Sequence, residues 1–456
     1  MTGEPVPARA PELLPLAERL LALAKAAGAT EAEVLAMGDD SGLTRFANSE
    51  IHQNVAETNV ALNLRFVDGR RVGVASSNRT DDEGLRGLAE RAAAVARNSA
   101  ELDGWGGLPE PGTIVPVEAA YSEATASASP ELRAEAVRAV IAAADEAGVT
   151  AYGSFSTGIE AIAVANSKGI AATQIRTTSQ LLTVAMGEDG GAGYAETSAV
   201  DASTIDGGAL GREAAGKARA SANAVALEPG DYPVVLEEYA VVDILDMLGY
   251  LGFSALAVEE GRSFAEPGRR IGAAGVSIWD DGHDPAGLPM AFDYEGVGKE
   301  RVSLVEEGVC RDVVYDAQTA ARAGRRSTGH GLPAPNPYGP FPINMLMAPG
   351  DASRDELLGG LDRGILVTRF HYTNPVHPKL AIITGMTRDG TFLVEGGRIV
   401  APIRNLRYTQ SYLEALAGVE AIGRERKTLR GFLGGSVVPA VRIASWTFTG
   451  ATEGSV

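Results

Sequence analysis

The chain has 456 residues, 45% of them hydrophobic, enough for two or three domains with sizeable cores. Its net charge of −19 gives an average surface that repels phosphate backbones and anionic bilayers, which argues against nucleic-acid and membrane partners. A single cysteine, Cys310, excludes an internal disulfide framework, and no stretch reads as a signal peptide or a membrane span, so a soluble, cytoplasmic protein is expected.

After a Pro-rich start, Leu13, Leu16, Leu20 and Leu23 predict an amphipathic helix stopping near Gly28. Strands are expected over residues 31–37 and 43–55. Alternating Val60, Leu62, Leu64 and Phe66, then Asp68-Gly69, Val72 and Val74, predict a hairpin. Thr80 and Glu83 have capping-box spacing ahead of an Ala-rich helix reaching about Asn98. Residues 104–129, rich in Gly, Pro, Ser and Thr, read as a crossing, and Ser129-Pro130 then opens a helix to Gly148. Strands over 151–156, 159–165 and 170–186 and a helix over 204–222 complete this half.

Pro229-Gly230 is the best boundary. It yields two α/β subdomains, residues 1–104 and 105–228, and a β-rich C-terminal domain, residues 229–456. The expected class is α+β: helix-plus-antiparallel-sheet units followed by a β-rich domain with a central core helix.

That helix lies within residues 232–264. The strand-like Val234-Val235-Leu236 feeds a stripe at helical spacing, Val241, Ile244, Leu245, Leu248 and Leu251, with Asp243 and Asp246 beside it. Gly249 and Gly252 suggest a local break, or a helix that ends early and packs closely on a neighbour.

This stretch resembles the TldD/PmbA metallopeptidase family, whose catalytic members carry a His-Glu-x-x-x-His zinc motif on the equivalent helix. Further blocks are similar in order: residues 45–55, the turn Asn166-Ser167-Lys168-Gly169, residues 293–324, Ser327-Thr328-Gly329, Ala348-Pro349-Gly350-Asp351, residues 364–368 and residues 442–450. The resemblance is to the non-catalytic PmbA (TldE) branch. In ungapped register the motif falls on Asp246-Met247-Leu248-Gly249-Tyr250-Leu251, without its histidines and glutamate. A catalytic zinc needs three protein ligands and an open water position. Leu251 cannot ligate, Met247 cannot act as a base, Asp246 would stand alone, and Cys310 lies well before the C-terminal cysteine ligand of the family's catalytic branch.

Elsewhere, His371 and His377 sit in FHYTNPVHPK, where Asn374-Pro375 and Pro378 predict a loop; two histidines without a third ligand suit a structural, surface or substrate-contact role. His330, beside Arg325 and Arg326 in a glycine-bounded loop, could help accept a carboxylate from a peptide or partner, against a plain solvated charge pair. His52 reads as structural, and the acidic turn around His283 lacks the ligand spacing of a calcium loop. Gly190-Gly191-Ala192-Gly193 lacks the strand-to-helix context of a nucleotide loop, and Gly252-Phe253-Ser254 lacks the second glycine of a nucleophile elbow. The pairs Glu237-Glu238 and Glu306-Glu307 read as exposed turn or helix-start charges.

The resemblance implies a zinc-free subunit, with no cofactor of its own, that completes the peptide chamber of a TldD-like catalytic partner carrying the zinc. The alternatives are a stand-alone homo-oligomer, such as a homodimer, that binds peptides or small ligands, and a peptidase with a relocated metal site at His371 and His377.

Overall fold

The computed structural model describes residues 10–451. Helix α1 (Ala10–Ala26) buries Leu13, Ala17, Leu20 and Ala24 as one stripe, and the chain leaves it through Gly28 at φ +96°. Strands β1 (Glu31–Ala47) and β2 (Glu50–Asp68) form one long hairpin, turned at Asn48-Ser49 with both residues at positive φ. The expected strands over 31–37 and 43–55 are thereby corrected. Residues 38–42, Gly-Asp-Asp-Ser-Gly, carry turn chemistry, yet they run through β1 because a strand pairs with them on each side.

Strand β3 (Arg71–Ser77) returns through Gly69-Arg70, one residue beyond the expected turn, since Asp68 and Arg71 form the last facing pair. Helix α2 (Asp82–Asn98) is capped by Asp81, which accepts from the Gly84 amide at 2.6 Å, not by Thr80. A charged oxygen at the positive end of the helix is the stronger acceptor.

The crossing contains α3 (Glu123–Ala126), and α4 (Pro130–Glu146) opens as expected, Ser129 Oγ accepting from the Leu132 amide. Strand β4 (Thr150–Asn166) merges the two strands expected over 151–165 and is followed by β5 (Ala171–Met186). The unforeseen β6 (Ala192–Ala199) absorbs the glycine-rich run: a Cβ on Gly193 would overlap the Ala214 carbonyl of α5 (Gly207–Ala220), so this glycine serves helix-on-strand contact.

All six strands form one sheet in the order β3-β2-β1-β4-β5-β6, so strands from either side of residue 104 share it. Helices α1 and α2 cover one part through Leu62, Leu64 and Phe66, and α4 and α5 cover another through Phe155 and Leu181. Leu35, Ile162 and Val164 pack instead against Met290, Phe292, Phe341 and Ile343 of the C-terminal half.

That half runs β7 (Gly230–Leu236), α6 (Glu238–Leu251), α7 (Ala255–Glu259), β8 (Ile278–Asp280), β9 (Val302–Glu306), β10 (Val309–Cys310), α8 (Ala317–Ala323), β11 (Met345–Met347) and α9 (Arg354–Gly359). It continues through β12 (Arg363–His377), β13 (Ile382–Glu395), β14 (Arg398–Pro402), β15 (Leu406–Ser411), α10 (Tyr412–Ala417), β16 (Val419–Arg430) and β17 (Gly435–Ala451). Eleven strands join in a second sheet, and the α+β class holds. Strand β7 pairs with β12 in parallel and with β17 antiparallel, while β12, β13, β15 and β17 pair in turn, closing a ring. Phe370 stacks on Trp446 at 4.9 Å in its core, and α6 packs into the same cluster. Among the described residues no helix is long and apolar enough to cross a membrane.

Candidate functional site

Strand β7 and helix α6 meet at the centre of the C-terminal half. Val234, Val235 and Leu236 are buried because the strand has neighbours on both edges, which places the start of α6 firmly. Glu237 stands at the N-cap but makes no capping bond there. It is buried, 2.6 Å from Lys217 and paired with Arg354, so the expectation of an exposed charge at this position is corrected. Glu306 and Glu307 are exposed as expected.

The glycines of α6 serve close packing. Gly249 lies under Met345 and Pro342, where a Cβ would approach to 3.1 and 3.2 Å, and a Cβ on Gly252, the C-cap, would overlap the Phe264 ring. The helix ends there and packs tightly, without an internal break.

Asp243 and Asp246 face a polar cluster. Asp243 accepts from Tyr412 at 2.8 Å and Thr373 at 2.8 Å, and Tyr412 shares a further 2.8 Å bond with Tyr408. Asp246 accepts from the Phe432 amide at 3.0 Å. Burial pushes Asp243 up to about 6 against its two hydroxyl bonds. It pushes Asp246 up to about 7, with the charges of Asp243 and Glu196 adding to the effect. Neither carboxylate has a cationic hydrogen-bond partner among the described residues.

Phe432 belongs to the tip of the β16–β17 hairpin, Gly431-Phe432-Leu433-Gly434, which seats on α6. A Cβ on Gly431 would overlap Asp246, and one on Gly434 the Ile343 carbonyl, so the tip approaches only because both are glycine. Phe432 and Leu433 remain 67% and 50% exposed. With Met247, Tyr250, Tyr338 and Phe341 they line a groove of about 660 Å³, edged by Thr373, Asn374 and Pro375 and by Met37 and Tyr294. Its walls are apolar and its polar groups few, the usual make-up of a site for an extended or aromatic ligand.

The structure distributes the other expected contact residues away from this groove. His371 and His377 stand on β12, which corrects the expected loop: residues 374–377 pair with β13, and the proline and turn residues are absorbed by bulges, with Tyr372 at φ 57°. His371 is partly buried and His377 exposed. His330 is 1% exposed, with Asp280 at 2.8 Å on Nε2 and Thr328 at 2.9 Å on Nδ1. Burial and the neighbouring Lys299 lower its pKa, so the ring is neutral near pH 7. Burial opposes the charge of Asp280, but Lys299 and His330 hold it well below the usual carboxylate range. Arg325 makes a two-pronged pair with Asp312 at 2.8 and 2.7 Å and stacks on Tyr315, while the exposed Arg326 lies 3.8 Å from Glu300. His330 is thus separated in environment from the two arginines expected to act with it.

Sequence reasoning misses Thr373, Tyr408, Tyr412 and the 431–434 tip. The tip's two glycines around an apolar pair were the available signal.

The positions that the resemblance sets against the zinc motif are a poor match to that metal's ligand set. Met247 and Leu251 are 3% and 2% exposed and offer no ligand of the required kind; Asp243 is committed to hydroxyls, and the group aimed at Asp246 is a hydrogen-bond donor. Among the described residues no group of three His, Cys, Asp or Glu side chains could hold a metal ion. Cys310 is buried on β10, where burial pushes its thiol up to about 11.

Residues 229–450 match the family model described as the PmbA/TldA metallopeptidase C-terminal domain, and residues 32–96 match PmbA/TldA metallopeptidase domain 1. The chain is similar to a metalloprotease of Methanothermobacter thermautotrophicus, 28% identical over 234 residues covering 50% of each chain. It is also similar to a zinc metalloprotease TldD homolog of Saccharolobus solfataricus, 26% identical over 219 residues, 44% of this chain and 46% of that one. The chain thus spans about half the length of these curated relatives. In fold it is similar to the crystal structure of TldE from Thermococcus kodakarensis, with a TM-score of 0.87 and 20% identity over 95% of this chain and 100% of that chain.

Proposed function

The chain belongs to the TldD/PmbA metallopeptidase family, and we propose that within it the chain is a PmbA/TldE-like, non-catalytic subunit of a two-subunit zinc peptidase acting on unfolded or leader peptides. What supports this reading is the make-up of α6: in the register that the resemblance implies, Asp246, Met247 and Leu251 would stand where the family's zinc-binding and basic groups are expected, and Met247 and Leu251 are buried and apolar. The zinc, which would polarise the scissile carbonyl and activate water, then belongs to a TldD-like partner. This chain's own residues bind and orient: the groove over α6 takes apolar side chains out of water, and its rim at Thr373, Asn374 and Pro375 offers polar contacts to an extended backbone.

Mixing the purified chain with a paralogue bearing His-Glu-x-x-x-His tests this. A defined heteromer in light scattering, with zinc and peptidase activity that the present chain alone lacks, is expected. Absence of association overturns it, as does stoichiometric zinc and proteolysis by this chain alone that disappear in His371→Ala or His377→Ala.

A second reading is a stand-alone homo-oligomer that binds peptides or small ligands, which the apolar lining of the groove and the exposure of Tyr250, Tyr338 and Phe432 also support. No association in the same mixing experiment, together with ligand binding by the isolated chain, would select it.

A further inference from the structure

Behind the wall of the apolar groove, bonded to its lining residues Thr373 and Phe432, lie two acids with no cationic hydrogen-bond partner among the described residues. Asp243 and Asp246, one turn apart on α6, are held only by hydroxyls and a backbone amide. Glu196, whose charge acts on Asp246, is likewise held by neutral groups, Gln180 at 2.7 Å and Tyr194 at 2.5 Å. Neighbouring cations are engaged elsewhere: Arg369 on Asp389, Arg176 on Glu160 and Lys427 on Glu213. Asp246 Oδ2 receives the Phe432 amide, while Oδ1 makes no hydrogen bond among the described residues and lies against the backbone of Gly431. On the opposite wall Asp39 follows Met37 on the same face of β1, with Glu160 nearby and the exposed Arg430 the one cation acting on it.

We infer that the groove selects an extended peptide carrying a lysine or arginine next to apolar or aromatic residues, the cation going to Asp246 and the apolar side chains to the Tyr250, Tyr338 and Phe432 wall. This deepens the peptide-binding reading above and rests on it. An ammonium or guanidinium at Asp246 makes a charge-assisted hydrogen bond where water is scarce, and the field of Asp243 and Glu196 adds to it. An acidic residue in the same place meets the Asp246 carboxylate, with the charges of Asp243 and Glu196 adding to the repulsion. The tip stands in the way by little: apart from its own Gly431–Gly434 bond at 2.9 Å, its polar hold on α6 is the Phe432 amide on Asp246. Two flanking glycines let it shift when a cation arrives.

The test is fluorescence anisotropy on the full chain near pH 7.5 with short labelled unstructured peptides. Three are Leu/Phe-rich with a central Lys, Gln or Glu, and the fourth is Ser/Gly-rich with a central Lys. The apolar Lys peptide should bind about tenfold more tightly than the apolar Glu peptide, equivalent to ~1.4 kcal/mol, and more tightly than the polar Lys peptide. Asp246→Asn should bring the Lys and Glu peptides to within about twofold of each other. Equal binding of Lys and Glu peptides by the unsubstituted chain overturns the inference alone, as does a preference that survives Asp246→Asn. If no apolar peptide binds, or binding is indifferent to Tyr338→Ala, the peptide-groove reading itself fails.

Discussion

Asp246→Asn should stabilise the protein, and by an amount that depends on pH. In the folded chain burial holds this carboxyl at about 7, against an ordinary 3.8. A raised acid takes up a proton on folding between those values. Stability is therefore fullest below about pH 4, falls as pH rises toward 7, and is flat above it. About 3 pH units at ~1.4 kcal/mol each amount to a loss of ~4 kcal/mol at pH 8 relative to pH 4. Asparagine retains an oxygen for the Phe432 amide and carries no charge to desolvate. The melting temperature of the variant should exceed that of the parent by about 4–5 °C at pH 8, and the gap should close steadily toward pH 4. Scanning calorimetry across pH 4.5, 6, 7 and 8.5 reads this directly. A gap that stays constant with pH, or a variant less stable at pH 8.5, would refute the placement of an unpaired, buried carboxyl on α6.

Gly252→Ala should lower stability by about 1–3 kcal/mol, since its methyl must displace the Phe264 ring, and urea denaturation should show the loss. Lys217→Met should cost about 3–5 kcal/mol by leaving buried Glu237 short of its buried partner, and a midpoint shift below a few tenths molar urea would sink that expectation. Tyr412→Phe removes a donor to Asp243, so the carboxyl should titrate still higher than about 6 in carbon-detected NMR; a fall would contradict the hydrogen-bond assignment. Dialysis of the isolated chain against a chelator should leave its melting temperature unchanged. A site occupied at a hundredfold its Kd would add ~2.7 kcal/mol, so a clear drop on chelation with stoichiometric zinc released would show a metal site on this chain.

The elements most legible in the sequence are those whose signal is local. Helix α1 announces itself by its leucine spacing and α4 by Ser129-Pro130, and the β7–α6 unit shows an apolar strand followed by a 3.6-residue stripe. Misreadings cluster where a residue's role is set by a distant neighbour. Residues 38–42 look like a turn because their pairing partners lie on β2 and β4, and Gly193 looks like loop because α5 crosses it. The same holds for the site. Asp243 and Asp246 were visible on the helix, but the residues that satisfy them, Thr373, Tyr412 and Phe432, come from three later segments. His330 went the other way: two adjacent arginines and a glycine suggested an exposed loop, whereas Asp280 and Lys299, far off in sequence, draw the ring into the interior.

On α6 the carboxylates of Asp243 and Asp246 are answered by neutral donors, and burial leaves both close to their neutral forms. Converging metal ligands are a liability when the ion is gone, since their charges and lone pairs face one another. Here hydroxyls and a backbone amide surround the two carboxylates. Yet neutral donors compensate only in part. Titration near pH 7 means that an Asp246 carboxylate at working pH remains a charge in an apolar surrounding, and a fold that wanted only packing would be better served by a methionine or leucine there. A cation arriving there would offset that unfavourable term of ~4 kcal/mol. That asymmetry, a buried carboxylate held by a neutral donor alone and favoured by positive charge, ties the stability of this helix to what its groove would select.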